Sequence, residues 1–124
     1  MPEIEIRHAI STDIPALMNI EHYYQTSYVW QMDRTLEEGQ YAARFREVRL
    51  PRQVRVEYPH TPSWLLTGWK DEPVLLIALF SGEPVGYICA TEQLSAGTAW
   101  VRDLVVCEKM RRKGIATALT LAAQ

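Results

Sequence analysis

Residues 108–117, Glu-Lys-Met-Arg-Arg-Lys-Gly-Ile-Ala-Thr, put four cations into their first six positions, then a lone glycine and small side chains. The apolar spacing after Gly114 predicts a helix from there, so the charge sits against a helix start. The first N–H groups of a helix have no internal partners, and its dipole places about half a positive charge there. Cations beside that end repel it, and an anion between them would remove the repulsion. Gly114 and Ala116 would let a phosphate reach the backbone, with Arg111, Arg112 and Lys113 supplying charge to its outer oxygens. A plain solvated loop is the alternative reading of the same residues. The segment is neither a Walker A loop nor a Gly-x-Gly-x-x-Gly turn.

Other groups able to do chemistry are few. Asp103, five residues before this loop, could serve as a base or as a structural carboxylate. Glu92 is a second carboxylate able to face an amine. His8, His22 and His60 are scattered without metal-ligand spacing, and no metal site is expected. Cys89 and Cys107 lie in apolar runs and read as core thiols in a reducing compartment.

The elements that must position these residues follow from periodicity. Ile4, Ile6 and His8 alternate with charged residues, which predicts a half-buried strand, and 11–24 then reads as a helix with Asp13 at its positive end. Residues 33–51 follow a helical pattern through Leu36, Tyr41, Phe45 and Val48, weakened at Gly39 and ended by Pro51. Arg44, Arg46, Arg49, Arg52 and Arg55 would form a basic stripe on or beyond it. Residues 56–73 read as loop or a short edge piece. Val74–Phe80, a second arm from Val85 and a third from Ala99 to Val106 predict a three-strand antiparallel meander joined by tight turns. Ile115, Ala118, Leu119 and Ala122 give the last helix an apolar face to lay on that sheet. The expected order is β, α, α, β, β, β, α.

Composition narrows the classes. A chain of 124 residues is one domain by size, and 13 Lys and Arg against 15 Asp and Glu give a net charge of −2. That balance argues against a general nucleic-acid or membrane binder. No secretory signal or membrane-length apolar run is present, so a cytoplasmic protein is expected.

Arg111 to Ala116 matches Arg/Gln-x-x-Gly-x-Gly/Ala, and this resembles the acyl-CoA pyrophosphate motif of the GNAT N-acetyltransferase superfamily. Residues 103–110, Asp-Leu-Val-Val-Cys-Glu-Lys-Met, resemble that family's fourth strand and loop; residues 82–90 resemble its hairpin; residues 6–20 resemble its first strand and helix. The resemblance implies an α+β fold, a mixed, mainly antiparallel sheet with flanking helices. It implies acetyl-CoA as acyl donor, bound by Leu104, Val105, Val106, Arg111, Arg112, Lys113, Gly114, Ile115, Ala116 and Thr117. The Leu104 N–H would meet the thioester carbonyl. Tyr24, Tyr28 and Trp30 fall where the family often walls its acceptor site. Many members carry Glu-Asp before Leu-x-Val; here the pair is Arg102-Asp103.

The family also continues with a strand, a helix and a closing hairpin, none of which lies in these residues. The expectation is one GNAT-like domain over 1–124, incomplete at its C-terminus. The rest would belong to a longer protein or, failing that, come from a partner strand, and a remnant is the remaining alternative. The expected activity is direct acetyl transfer from acetyl-CoA to an amine. A CoA-binding or interaction module without catalysis is the alternative, and a phosphate or nucleic-acid binder a weaker third. Expected partners are a small-molecule or protein amine and a second copy of the chain in a homodimer, with no nucleic acid and no membrane.

Overall fold

The continuous apolar run Val74–Phe80 forms β4, the most buried strand, because both its faces are covered. The computed structural model describes residues 3–71, 74–91 and 97–124. They fall into two compact units, one spanning Met1–His22 with Pro59–Gln124, the other Tyr23–Tyr58.

In the first unit, β1 (Ile4–His8), β4, β5 (Glu83–Thr91) and β6 (Trp100–Val106) make an antiparallel sheet in the order β1-β4-β5-β6. The meander expected from the sequence is therefore present, with β1 added beside β4. Strand alternation divides the side chains into two faces. On one, Leu76, Ala78, Val85 and Ile88 pack with Ile115 and Leu119 of α3 (Ile115–Ala123). Ala122, expected on that buried face, is exposed, and Ala123 packs there instead. On the other face lie Leu75, Ile77, Tyr87, Cys89, Asp103 and Val105, all buried. This is the side of α1 (Ile14–Met18), which packs on β5, and of α2 (Trp64–Thr67), which packs on α1.

The first helix is shorter than the pattern suggests: a single 3₁₀ turn, Ser11–Asp13, leads into the five residues of α1. Asp13 does more than favour a helix dipole. Its Oδ2 accepts the Ile10 N–H at 2.8 Å, and its two oxygens take a bidentate grip from Arg7 at 2.8 and 3.0 Å. That pair ties β1 to the start of α1.

The second unit corrects the sequence reading. Residues 33–51 are not a helix. They belong to a long hairpin of β2 (Tyr23–Glu37) and β3 (Gln40–Glu57). The turn centres on Gly39 at φ +75°, a left-handed conformation that glycine adopts freely. The apolar residues that mimic helical spacing are cross-strand partners instead: Leu36 faces Tyr41, Met32 faces Phe45, and Val29 faces Val48. Pro51 sits in the register break opposite Ser27, between the Thr26–Val54 and Tyr28–Arg49 pairs, where its missing N–H interrupts no ladder. The arginine stripe dissolves as well. Arg44 and Arg46 share a face with Asp33, Arg46 binding it at 2.9 Å, whereas Arg49 shares the opposite face with Phe45. Residues 56–73 hold α2 and a 3₁₀ turn, Trp69–Asp71. Among the described residues no helix is long and apolar enough to cross a membrane.

The Arg7 hydrogen bond, ahead of the Ile10 N–H, holds the Asp13 carboxyl below its ordinary range. A depressed folded value means the stabilisation is complete above the unfolded value of about 3.9 and is lost as pH falls through the folded one. Asp13→Asn should lower the melting temperature at pH 7, and the gap from wild type should narrow below pH ~3.5. Calorimetry at both pH values checks this.

Candidate acyl-donor site

β6 is the edge of the four-stranded sheet, so its outer backbone groups face no strand among the described residues. Beyond Val106 the chain turns once through 3₁₀ geometry at Glu108–Met110 and enters α3 at Ile115. Between that edge and the helix start lies an open cavity of about 620 Å³, lined by Leu104, Val106, Arg111, Arg112, Gly114, Ile115, Ala116 and Thr117.

The backbone beside this cavity is left-handed at two positions. Gly114 caps α3 at φ +87°, and Arg112 takes φ +63°, a left-handed conformation that costs a non-glycine residue about 1 kcal/mol or more. The helix ladder opens with the Ala118 N–H on the Gly114 carbonyl at 3.0 Å. The N–H groups of Ile115, Ala116 and Thr117 precede it and meet the cavity at the positive end of the dipole.

The cations divide their work. Arg111 is half-buried, and its guanidinium is committed to structure. Nε donates to the Val106 carbonyl at 2.8 Å and Nη2 to the Glu21 carbonyl at 2.6 Å. It lends charge to the cavity but is anchored by carbonyls. Arg112 and Lys113 are exposed, and Lys113 lies outside the lining. Val105, also expected at this site, points to the opposite face and is buried there. Eight of the ten expected donor-binding residues thus line one cavity.

Glu21 supplies the other half of the anchor. Its Oε2 accepts the Glu108 N–H at 3.0 Å, so one residue holds the loop through both its carbonyl and its carboxylate. That backbone N–H is the main reason its carboxyl titrates below the ordinary range, helped by the charges of Arg111 and Lys109. Glu21 lies 87 positions from Glu108, so the sequence carried no local signal of this role.

The remaining candidates scatter. Tyr24, Tyr28 and Trp30 are exposed on β2 of the hairpin unit. Glu92 lies outside the described residues. His22 bridges the Ile20 carbonyl at Nδ1 (2.7 Å) and the buried Tyr87 hydroxyl at Nε2 (2.8 Å). The carbonyl only accepts, so Nδ1 carries the proton. Asp103 is buried, and its Oδ1 accepts from His60 Nδ1 at 3.0 Å. His60 was not singled out by the sequence, because nothing local marks a contact 43 positions apart.

Residues 23–124 match the family described as Acetyltransferase (GNAT). The chain belongs to the GNAT family. Solved structures agree on the fold. A protein assigned as a streptothricin acetyltransferase from Bacillus anthracis str. Ames, in complex with acetyl coenzyme A, superposes with a TM-score of 0.67 at 16% identity, over 98% of this chain and 66% of that one. A nourseothricin acetyltransferase gives 0.71 at 18% identity, over 97% of this chain and 64% of that one. The chain thus spans just under two thirds of the length of these GNAT structures. Among curated proteins, no sequence matches it.

Removing the Glu21 carboxylate should loosen the loop without touching the sheet. Glu21→Ala is expected to cost about 1 kcal/mol at pH 7, as for a lost helix cap, and to speed hydrogen exchange at the Glu108 amide. Because the Glu21 carboxyl is depressed, the effect should be complete above about pH 4.5 and fade as pH falls below it. Amide exchange followed by NMR at pH 4 and pH 7 reads both.

Proposed function

We propose that the chain binds acetyl-CoA and transfers its acetyl group directly to an amine. The observation that carries this reading is the cavity beside β6, the edge strand of the sheet among the described residues. It runs onto the positive end of α3, where Gly114 and Ala116 carry no bulky side chain. Family membership supports acyl transfer, and the acetyl-CoA complex of a structure with the same fold supports the donor.

Each part of the donor has a matching part of the chain. The N–H groups of Gly114 to Thr117 and the positive end of α3 take the pyrophosphate, with Arg112 and Lys113 supplying charge from the rim. The outer backbone of β6, at Leu104 and Val106, pairs with the amides of the pantetheine arm. The Leu104 N–H donates to the thioester carbonyl, whose oxygen gains charge as the amine attacks. A fixed donor at that oxygen lowers the barrier because its orientation is set before the reaction starts. The amine nitrogen bonds to the carbonyl carbon, the C–S bond breaks with its electron pair leaving on sulfur, and the proton the nitrogen loses ends on that thiolate.

The third reading, a phosphate or nucleic-acid binder, loses its main support. Its arginines divide between two faces of a hairpin, and Arg46 and Arg55 are held by Asp33 and Glu57.

At a hundred times Kd, a ligand that binds only the folded state stabilises it by about 2.7 kcal/mol, several degrees of melting temperature at this size. Acetyl-CoA and CoA should each produce such a shift, and ATP at the same concentration a smaller one. Gly114→Glu sets a negative charge in the cavity at a strained backbone position and should weaken CoA binding at least about tenfold, roughly 1.4 kcal/mol. Unchanged affinity would contradict the loop assignment. Thiol release from acetyl-CoA with an amine panel separates an enzyme from a binding module.

A further inference from the structure

The β2–β3 hairpin of the second unit has one face that its own two strands leave uncovered. Side chains two residues apart on a strand, and those paired across it, share a face. Met32 is paired with Phe45, and the Trp30–Glu47 and Arg34–Ala43 pairs flank them. Tyr28–Arg49 and Leu36–Tyr41 extend the same face at either end. Tyr28, Trp30, Met32, Leu36, Tyr41 and Phe45 are all exposed, Trp30 at 69% and Leu36 at 77%. Toward the Gly39 turn the opposite face is polar, with Gln31, Asp33, Thr35 and Arg44, and with Arg46 held by Asp33. A two-stranded hairpin is marginal in water unless a further layer covers its apolar side. An apolar patch of this extent marks a surface that another molecule covers.

The pattern of this face fits a second copy of itself. Two hairpins stacked face to face, about a two-fold axis crossing the strands at Met32 and Phe45, run antiparallel to each other. Met32 and Phe45 then each meet their own counterpart. Leu36 of one copy comes opposite Tyr28 of the other, and Tyr41 opposite Arg49. Arg34 comes over the Trp30 ring and beside the Glu47 carboxylate. Each charge that interrupts the apolar face thus gains an aromatic ring or an opposite charge. A two-fold axis along the strands does the reverse. It sets Glu47 against the electron-rich face of Trp30 and brings the two Arg34 side chains together. The size fits as well. At these exposures the four aromatics with Met32 and Leu36 offer roughly 700 Å² per copy, close to the about 800 Å² per partner of a standard interface.

We propose that two copies of the chain associate through this face of the hairpin, as an antiparallel two-fold dimer centred on Met32 and Phe45. Such a contact closes on itself, because each surface makes the contacts it receives. The two hairpins form a small sandwich, their strands within about 30° of each other, as aligned sheets pack. Each supplies the apolar layer that the other lacks. The faces that carry the Asp33–Arg46 ion pair then point outward to water. Dimerisation of this kind needs no acyl donor and is independent of the acyltransferase reading.

Sedimentation equilibrium of the intact chain, with no ligand added, reads the association directly. Wild type should be a dimer at micromolar concentration. Phe45→Glu sets two carboxylates together at the axis and should yield monomer. Arg34→Glu and Glu47→Arg each put like charges side by side and should raise the dimer Kd at least about tenfold. Arg34→Glu combined with Glu47→Arg restores opposite charges and should bind more tightly than either single variant, which a misfolded hairpin cannot do. Thr35→Lys, on the opposite face, should leave the dimer unchanged. A wild-type chain still monomeric at about 100 µM overturns the proposal, since a standard interface binds more tightly than that. A dimer that both single charge reversals leave intact, or that Thr35→Lys breaks, overturns it too. So does a double variant no tighter than the singles.

Discussion

The guanidinium of Arg111 holds the corner on which the site depends. Its two carbonyl partners belong to different parts of the chain, the end of β6 and Glu21, three residues beyond α1. Hydrogen bonds from a charged donor are worth about 1.5–3 kcal/mol. Together they fix where the strand stops and where α3 starts. The Glu21 carboxylate completes the joint by taking the Glu108 N–H. Without it, Lys109, Arg111, Arg112 and Lys113 would crowd the positive end of a helix with only solvent to screen them. With it, one cation is balanced internally and the exposed Arg112 and Lys113 remain beside the cavity. The clustered charge is thus partly a structural device and, in the proposed function, partly an anion site.

The same strand serves two faces. Alternation sends Leu104 and Val106 toward the cavity and α3, and sends Asp103 and Val105 toward α1 and α2. An edge strand is usually a liability because its outer backbone groups seek another strand. In the proposed function that edge is the binding surface.

How far the sequence was legible depended on how local each cause was. β4, β5, β6 and α3 were readable because apolar runs, tight turns and a glycine before a small-residue helix act over a few positions. The hairpin of β2 and β3 was not. Leu36, Tyr41, Phe45 and Val48 are spaced much as on a helix, and only pairing across Gly39 shows that they face partners on another strand. Gly39 already argued against a helix there, since glycine costs about 1 kcal/mol in a helix interior. In the candidate site, the loop was legible from Arg111 to Thr117, yet the role of Arg111 was not, because its partners are Val106 and Glu21. The His60–Asp103 contact was likewise hidden: the loop that brings His60 to β6 has no pattern of its own.

In the proposed function, successive backbone N–H groups at the start of α3 hold the pyrophosphate of CoA. Titration of the ¹⁵N-labelled chain with CoA, followed amide by amide, tests it most directly. Saturable shifts are expected at Arg112, Gly114, Ile115, Ala116 and Thr117, with the amides of β1 unmoved. Shifts centred elsewhere, or none at these residues while CoA still binds, would contradict it.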